Sequence, residues 1–544
     1  RDRACSRRWF PSCEADVRRR LSDVPPLLWS TLLCATAFAV LFGALAVRNH
    51  QLFATWTYDL GIYDQATWLL SRGGRTFMSV RGLDVWGHHV NPILYLFVPA
   101  YWLGAGPRFL VALQAGWIAI GAVPVHFIAK HHLGSDRWGF SAAVVFLVSA
   151  PLEWLTWDMF HPEALVVTPL LFAWWFATRE RWGWCWVALL LALCTREDAA
   201  LVVGTMAISL AVVCRPSHDR RRLRRHSVAM VVVAIVWWLM CVQVVIPHFN
   251  GGRAPFYVSM FYGQYGNSVL GVLVGMVRHP TRALGDLLQP DRRWFVWRML
   301  MPFGLTALAS PLALLPAMPQ LLASLLGASP YPRQIEYQYT SMMIAPIAIA
   351  AIRGVSRLRR LTGDVGSPAL HARRRSWLGT AVPIVVAVAA VVSNVMWSPS
   401  PLRRDSPAVW VGESASASAR RQALSSAVAL VPPTAGVVAT YAIGAHLAHR
   451  THLYDWPNPF VPTVWGNGDC TALPDPREVE YAVLEYADIG TDGQVLFEAM
   501  TRDGGPFRVL ASNEYVVVLQ RVGTSAEVDV TPRLARCQTL EGGH

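Results

Sequence analysis

The sequence predicts an α-helical polytopic membrane protein of about eleven transmembrane helices, followed by a small α/β unit at the C-terminal end. Three observations carry that reading. The 544 residues are 53% hydrophobic and only 15% charged, with a mean hydropathy of +0.33, more apolar than a soluble chain of this size needs to be. Apolar runs long enough to approach membrane thickness recur from Pro26 to Val395. After about Pro399 they give way to short alternating helix-like and strand-like stretches.

In chain order, the polar segment before residue 26 ends in Arg18-Arg19-Arg20. Positive charge ahead of the first apolar run, Pro26 to Val47, places the N-terminus in the cytoplasm. Ala44-Leu45-Ala46 resembles a signal-peptidase site, but the run is long for a signal peptide and reads better as an uncleaved anchor. A long outer loop follows, residues 48–107. Its Ile62, Ala66, Leu69 and Leu70 have helical spacing, so a short amphipathic helix along the membrane surface is expected, ended by Gly73-Gly74. Ile93 to Leu103 is apolar but short, and is read as an interfacial or re-entrant helix.

Further spans are expected at about Phe109 to Ala129, Phe140 to Leu152, Ala164 to Phe176, Trp184 to Cys194, Ala199 to Cys214 and Val228 to Ile246. Met299 to Gly327 reads as a two-span hairpin with prolines for its turn, and the last spans as Ser341 to Ile352 and Trp377 to Val395. Lys130 with Arg137, Arg179 with Arg181, Arg215 to Arg225 and Arg353 to Arg375 fall at every second connection, which puts those connections inside and the others outside. Three regions result: a cytoplasmic basic N-terminus (1–26), a transmembrane region (27–397) and an extracytoplasmic α/β region (398–544). In the last, helix-like 422–430 precedes strand-like 436–440, 481–485 and 515–519.

The formal net charge of +13 follows from these basic connections. No aromatic-basic interleaving or finger spacing accompanies them, so nucleic acid is excluded as a partner and the lipid bilayer is the one implied. The nine cysteines contain no C-x-x-C pair, and five lie in or beside apolar runs, where buried thiols are expected. Cys470 and Cys537 lie in the polar tail, where a disulfide is open to them in an oxidising compartment.

On this topology the polar residues of the outer loops and outer span ends fall on one side: Asp59, Asp64, His88, His89, Asp158, His161, Glu163, Arg196, Glu197, Asp198, Arg333, Glu336, Tyr337 and Tyr339. Charge deep within a span costs roughly 2.5–3.5 kcal/mol on insertion scales, so charged groups at or within spans line an aqueous cavity or pair with one another. Asp59 stands in a loop beside two tyrosines and a glycine with no adjacent cation, which marks it as a catalytic carboxylate. Asp64 is either a second one or a helix-first-turn charge. His88 and His89 suit a phosphate or a covered interfacial position, with no third ligand fixed by spacing for a metal. Glu163 opens a span and serves substrate or the helix dipole. Arg196 either holds an anionic group or pairs with Glu197 and Asp198 across a break between spans.

The motifs Y-D-L-G-I-Y-D-Q-A-T-W-L-L-S-R-G, H-H-x-N-P, F-H-P-E-A-L, R-E-D-A-A-L and Y-Q-Y-T, in that order, resemble a large family of predicted bacterial membrane proteins without assigned function. That family in turn resembles the GT-C glycosyltransferase superfamily, and the resemblance spans about Trp29 to Ile352. It implies a multi-span enzyme whose first outer loop carries an acidic residue acting on a polyprenyl-phosphate-linked sugar donor, and Asp59 matches that position. Many superfamily members place a second acid directly beside the first; here Leu60 follows, which leaves the base and the use of a divalent metal open. No cofactor is otherwise implied.

The expected function is therefore transfer of a sugar, with inversion, from a polyprenyl-phosphate donor to a cell-envelope glycan, lipid or protein in a bacterial plasma membrane. Asp59 and Asp64 are the catalytic candidates. His88, His89, His161, Glu163, Arg196, Glu197, Asp198, Arg333, Tyr337 and Tyr339 are the substrate- and phosphate-binding candidates. The alternatives are a transporter or flippase of a lipid-linked substrate and a non-catalytic envelope assembly protein. A transporter should carry paired broken helices with mid-span charge, whereas these charges collect at one face.

Overall fold

The structure is a computed structural model that describes residues 26–214, 219–253, 257–361, 368–401, 403, 413–461 and 474–522. The basic N-terminus, Cys470 and Cys537 lie outside these residues. Among the described residues, four helices are long and apolar enough to cross a membrane: Pro26–Gln51, Pro107–Leu133, Arg220–Phe249 and Gln338–Arg360. Asp136–Leu147 and Ala150–Trp157 make a fifth crossing if taken as one span bent by 53°. Shorter apolar helices fill the space between them: Pro162–Thr178, Trp182–Leu193, Ala199–Val213, Val269–Arg278, Pro311–Leu326 and Ala381–Trp397. The protein is thus mainly helical, and several expected spans are helices shorter than the roughly 20 residues a straight crossing takes.

The expected hairpin of Met299 to Gly327 is not present. The chain there winds through the 3-10 turns Met301–Phe303 and Thr306–Ala309 and forms one apolar helical run, Pro311–Leu326. Two crossings need about forty residues, and Pro302 and Pro311 deny amide donors to any longer helix there.

Several helices run in the same sense through the bundle. Pro107–Leu133, Ala199–Val213 and Gln338–Arg360 finish together at one end, where Arg353 donates to the Val213 carbonyl at 3.1 Å. There Ser356 donates to His132 O at 3.1 Å and Arg359 to Leu133 O at 3.2 Å. These donors satisfy carbonyls that a helix leaves unpaired in its last turn, and the arginines complement its negative end. The opposite end holds the start of each helix and the chemistry described below.

At that opposite end sits a five-stranded sheet of order β4-β3-β5-β7-β6. Its strands are β3 (Val437–Ala439), β4 (Leu453–Asp455), β5 (Tyr481–Glu485), β6 (Phe507–Ser512) and β7 (Val516–Arg521); β1 (Phe77–Met78) and β2 (Leu83–Asp84) form a separate two-stranded ribbon. β3 is parallel to β4 and β5, while β7 is antiparallel to β5 and β6. Alternate residues point to opposite faces. Val438, Ala482, Leu484, Val517 and Leu519 pack with Leu496 and Met500 of the helix Thr491–Thr501. Val437, Ala439, Val483, Val516 and Val518 instead join Leu60, Ile62, Tyr63, Ala66, Leu69 and Leu70 of the first loop in one core.

That packing corrects the expected surface helix. Ile62–Arg72 is helical and capped by Gly73 in the left-handed conformation, at φ 63°, but it is covered on both faces. Asp64, Gln65 and Thr67, its polar side, are buried as fully as Ile62 and Leu69. Gln65 makes the reason clear: its amide donates to Ser79 Oγ and to the Arg450 carbonyl, both at 2.9 Å. A second tie is Thr57 Oγ1 donating to Tyr441 O at 2.6 Å. The short apolar segment after His89 is two brief helices, Pro92–Leu96 and Val98–Trp102, with Tyr95, Leu96, Trp102 and Leu103 exposed.

Candidate active site

Asp59 lies in the π-helical turn Thr57–Gly61, just before the helix Ile62–Arg72. A π-turn widens the ring of backbone hydrogen bonds and is often found at functional positions. Its side chain is about one quarter exposed, 26%, and its Oδ1 lies 3.3 Å from His161 Nε2. His161 is almost wholly buried, and three contacts fix its position. Its backbone N–H donates to Gln114 Oε1 at 2.9 Å, its Nδ1 lies 2.9 Å from the Met159 carbonyl, and the edge of its ring meets Tyr63. A carbonyl only accepts, so Nδ1 is the donor there. Nε2 then meets the Asp59 carboxylate favourably when it too carries a proton, which makes the pair imidazolium and carboxylate. Burial pulls the His161 pKa down, but the hydrogen bond to Asp59 and the charges of Asp158 and Glu163 outweigh it and hold it at about 9. Asp158, 3.8 Å from His161 Nδ1, is pushed up to about 7 by burial and by the charge of Asp59, against the pull of His161.

A second network adjoins the first. Arg196, in the break between Trp182–Leu193 and Ala199–Val213, donates to Glu163 Oε1 at 2.9 Å and places its Nε 3.3 Å from Asp198 Oδ1. Glu197 turns the other way, to His89 Nδ1 at 2.8 Å, Val90 N at 3.0 Å and the Tyr257 hydroxyl at 3.3 Å. Burial favours its neutral form, but the charge and hydrogen bond of His89, with the charge of Arg196, outweigh this and hold its carboxyl below the usual range. Burial, joined by the charge of Glu197, raises Asp198 above the usual carboxylate range despite Arg196. His88 packs against His89 with ring centroids 4.4 Å apart, and burial with the neighbouring cations keeps it neutral, its pKa well below the ordinary imidazole value.

The structure thus brings together Asp59, His161, Asp158, Glu163, Arg196, Glu197, Asp198, His88 and His89. Tyr337 and Tyr339 flank Gln338, whose backbone reaches the Asp158 carboxylate. Three sequence expectations change. Arg196 makes internal ion pairs, the alternative reading of Thr195-Arg196-Glu197-Asp198, with its Nε and Asp198 Oδ1 facing each other at 3.3 Å without the alignment of a hydrogen bond. Asp64 is not beside Asp59. Successive helical residues diverge by about 100°, so Tyr63 faces His161 while Asp64, buried, accepts from the Tyr101 hydroxyl at 2.6 Å and lies 3.1 Å from His449 Nε2. Arg333 is spent on structure, donating to Asp291 at 2.9 Å, Gly327 O at 2.6 Å and Ser329 O at 2.9 Å. Glu336 pairs with Arg298 at 3.2 Å.

Residues that the sequence did not single out complete the cluster. Gln114 was detectable, since it and His126 are the polar side chains of the apolar run Phe109 to Ala129. Tyr63 stands in the Asp59 motif with no role expected for it, and Met159 and Tyr257 carry no comparable signal. Among the described residues no group of three or more His, Cys, Asp or Glu is arranged to hold a metal ion.

Next to Glu197 and Asp198 opens an apolar groove of about 350 Å³, walled by Leu201, Trp238, Val242, Leu273, Ala323 and Met342. Glu197, Asp198 and Gln320 among otherwise mainly hydrocarbon walls suit an amphiphile with a polar head.

The fold and site define a multi-span membrane protein with a buried acidic and histidine cluster at one end of its bundle. The chain belongs to the family described as Predicted membrane protein (DUF2079), which matches residues 49–460. No curated protein matches it. Among solved structures it is similar to the crystal structure of ArnT from Cupriavidus metallidurans bound to undecaprenyl phosphate, at 16% identity and a TM-score of 0.49, over 90% of this chain and 99% of that one. The apo form of the same protein gives 17% identity and a TM-score of 0.48, over 91% and 99%.

Proposed function

We propose that this protein is a membrane glycosyltransferase that moves a sugar from a polyprenyl-phosphate donor to a cell-envelope acceptor at the extracytoplasmic face, with inversion. The observation that carries the reading is the Asp59–His161 pair beside the Arg196 network, whose Glu197 and Asp198 also line an apolar groove. In this reading the four long helices, the bent pair and the shorter apolar helices together make about eleven crossing elements, and the sheet lies outside the membrane.

Transfer from a lipid phosphate needs a base for the acceptor hydroxyl and positive charge for the departing phosphate. Asp59 is the base: one oxygen is held by His161, and the carboxylate reaches solvent. His161 faces the phosphate, and Arg196, held between Glu163 and Asp198, adds positive charge beside it. The groove beside Asp198 takes the first isoprene units of the donor. His89 and Glu197 keep the Arg196 loop in place, and Asp64, Tyr101 and His449 fix the helix that follows Asp59.

The test is a membrane assay with a labelled polyprenyl-phosphate sugar, comparing variants at equal expression. Asp59→Asn keeps shape but cannot accept the proton, and turnover should fall by roughly 10²–10⁴-fold with donor binding retained. Ala323→Trp, which fills the groove, should instead raise the KM for the donor. Full turnover in Asp59→Asn ends the assignment, and uphill movement of the lipid-linked substrate without transfer would establish the transporter reading.

A further inference from the structure

A second cavity, of about 740 Å³, opens where the outer ends of two packed helices meet the sheet region. Pro26–Gln51 and Pro107–Leu133 approach closely enough for a methyl group on Gly43 to stand 3.7 Å from Ala112 Cα. Arg48 lies in the last turn of the first helix, and Arg108 follows Pro107 at the start of the second. Both line the cavity, together with Arg421, Glu413 and His446.

The charge there is not balanced. Arg421 is paired with Glu413 at 2.9 Å, which leaves the guanidinium groups of Arg48 and Arg108, and neither makes a hydrogen bond or ion pair among the described residues. Arg108 also stands at a positive helix terminus whose Gly106 provides no side-chain cap, a position that favours anions over cations. His446 stacks on His50, with centroids 4.0 Å apart, and its Nε2 is buried without a hydrogen-bond partner. Two exposed guanidinium groups without a protein partner among the described residues and a helix N-terminus around one cavity, with the His446 ring fixed in its wall between His50 and Phe53, together form a receptor for oxyanions.

We infer that the cavity formed by Arg48, Arg108 and His446 binds a phosphate-bearing anion, as a site separate from the Asp59 cluster. Arg48 and Arg108 stand at membrane-span ends, at headgroup height, so the phosphate arrives either on an anionic membrane lipid or as a soluble phosphate. The site does not depend on glycosyl transfer, and binding alone reads it.

The experiment uses the purified full chain in uncharged detergent. Short-chain phosphatidylglycerol and phosphatidylcholine are compared by native mass spectrometry, and inorganic phosphate by the shift it gives in thermal unfolding. Preferential retention of phosphatidylglycerol supports a lipid source, and stabilisation by phosphate without lipid preference supports a soluble one. In either case Arg48→Gln combined with Arg108→Gln should weaken binding at least about tenfold, while the paired Lys variant retains most of it and Asp59→Asn all of it. Should the Gln pair fold poorly, Val428→Trp, on the cavity wall, leaves the charges in place and should block the anion. No preference for either anion in the wild type, or equal binding in the Gln pair and Val428→Trp, overturns the inference.

Discussion

At the scale of single residues, the cluster is governed by one histidine. The ordinary imidazole pKa of 6.5 rises to about 9 for His161 in the folded chain, so its proton stabilises the fold fully below pH 6.5, and that contribution disappears as pH climbs through 9. A shift of this size is worth on the order of 3 kcal/mol for a group this buried. The unfolding temperature of the wild type should therefore drop between pH 7 and 10 by several degrees more than that of His161→Asn, which has no proton to lose. Equal slopes in the two proteins would show that Asp59 and His161 are not paired as imidazolium and carboxylate. At this scale the sequence was informative about which residues are polar in apolar surroundings, because such residues are costly there. It did not disclose their partners. Arg196 could read as a phosphate ligand or an internal ion pair, and the ion pair becomes visible only when Glu163, 33 positions earlier, is placed 2.9 Å away.

At the scale of elements, the first loop is held by close backbone approach as much as by polar ties. A methyl group added to Gly444 would collide with Thr57 Oγ1 and Cγ2, the same side chain that donates to Tyr441. Gly444→Val should thus push the Thr57–Gly61 turn away from the sheet, cost about 1–3 kcal/mol and displace Asp59. The expected measurement is faster protease cleavage near Arg72 or Arg75, with lowered turnover, while the helical circular dichroism is unchanged; protection equal to the wild type would mean that the contact is slack. The helix Ile62–Arg72 was legible from the helical spacing of its apolar residues, and β5 from a short apolar run of strand length, buried on both faces. What covers the second face of that helix was not, since Asp64 and Gln65 look like a solvated side until Tyr101, His449 and Arg450 are placed against them. The Met299 to Gly327 misreading has a similar origin: hydropathy measures composition, and the prolines that break the segment into turns are themselves compatible with an apolar environment.

At the scale of the whole molecule, the helices that begin beside the Asp59 cluster finish at Arg353 to Arg359, in keeping with the alternating basic connections. In a background without native cysteines, Arg221→Cys and Arg357→Cys should be labelled only from the cytoplasm, and Arg75→Cys and Arg502→Cys only from outside. Labelling of Arg75→Cys and Arg357→Cys from the same side would separate the cluster from the extracytoplasmic face. The single core shared by the first loop and the sheet also sets a timetable for biosynthesis. Gln65 waits for Arg450, which follows it by 385 positions, and at about 5–20 residues per second the ribosome needs roughly 20–80 s to deliver that partner. Through this interval Leu60, Ile62, Tyr63 and Leu69 have no sheet to bury them, and the nascent loop must be shielded by the membrane surface or by a holding chaperone. Nascent chains arrested after residue 403 should accordingly be cut by added protease between residues 57 and 80, and chains extended past residue 522 should resist. A loop that was resistant at the earlier arrest point would mean that it folds without its later partner.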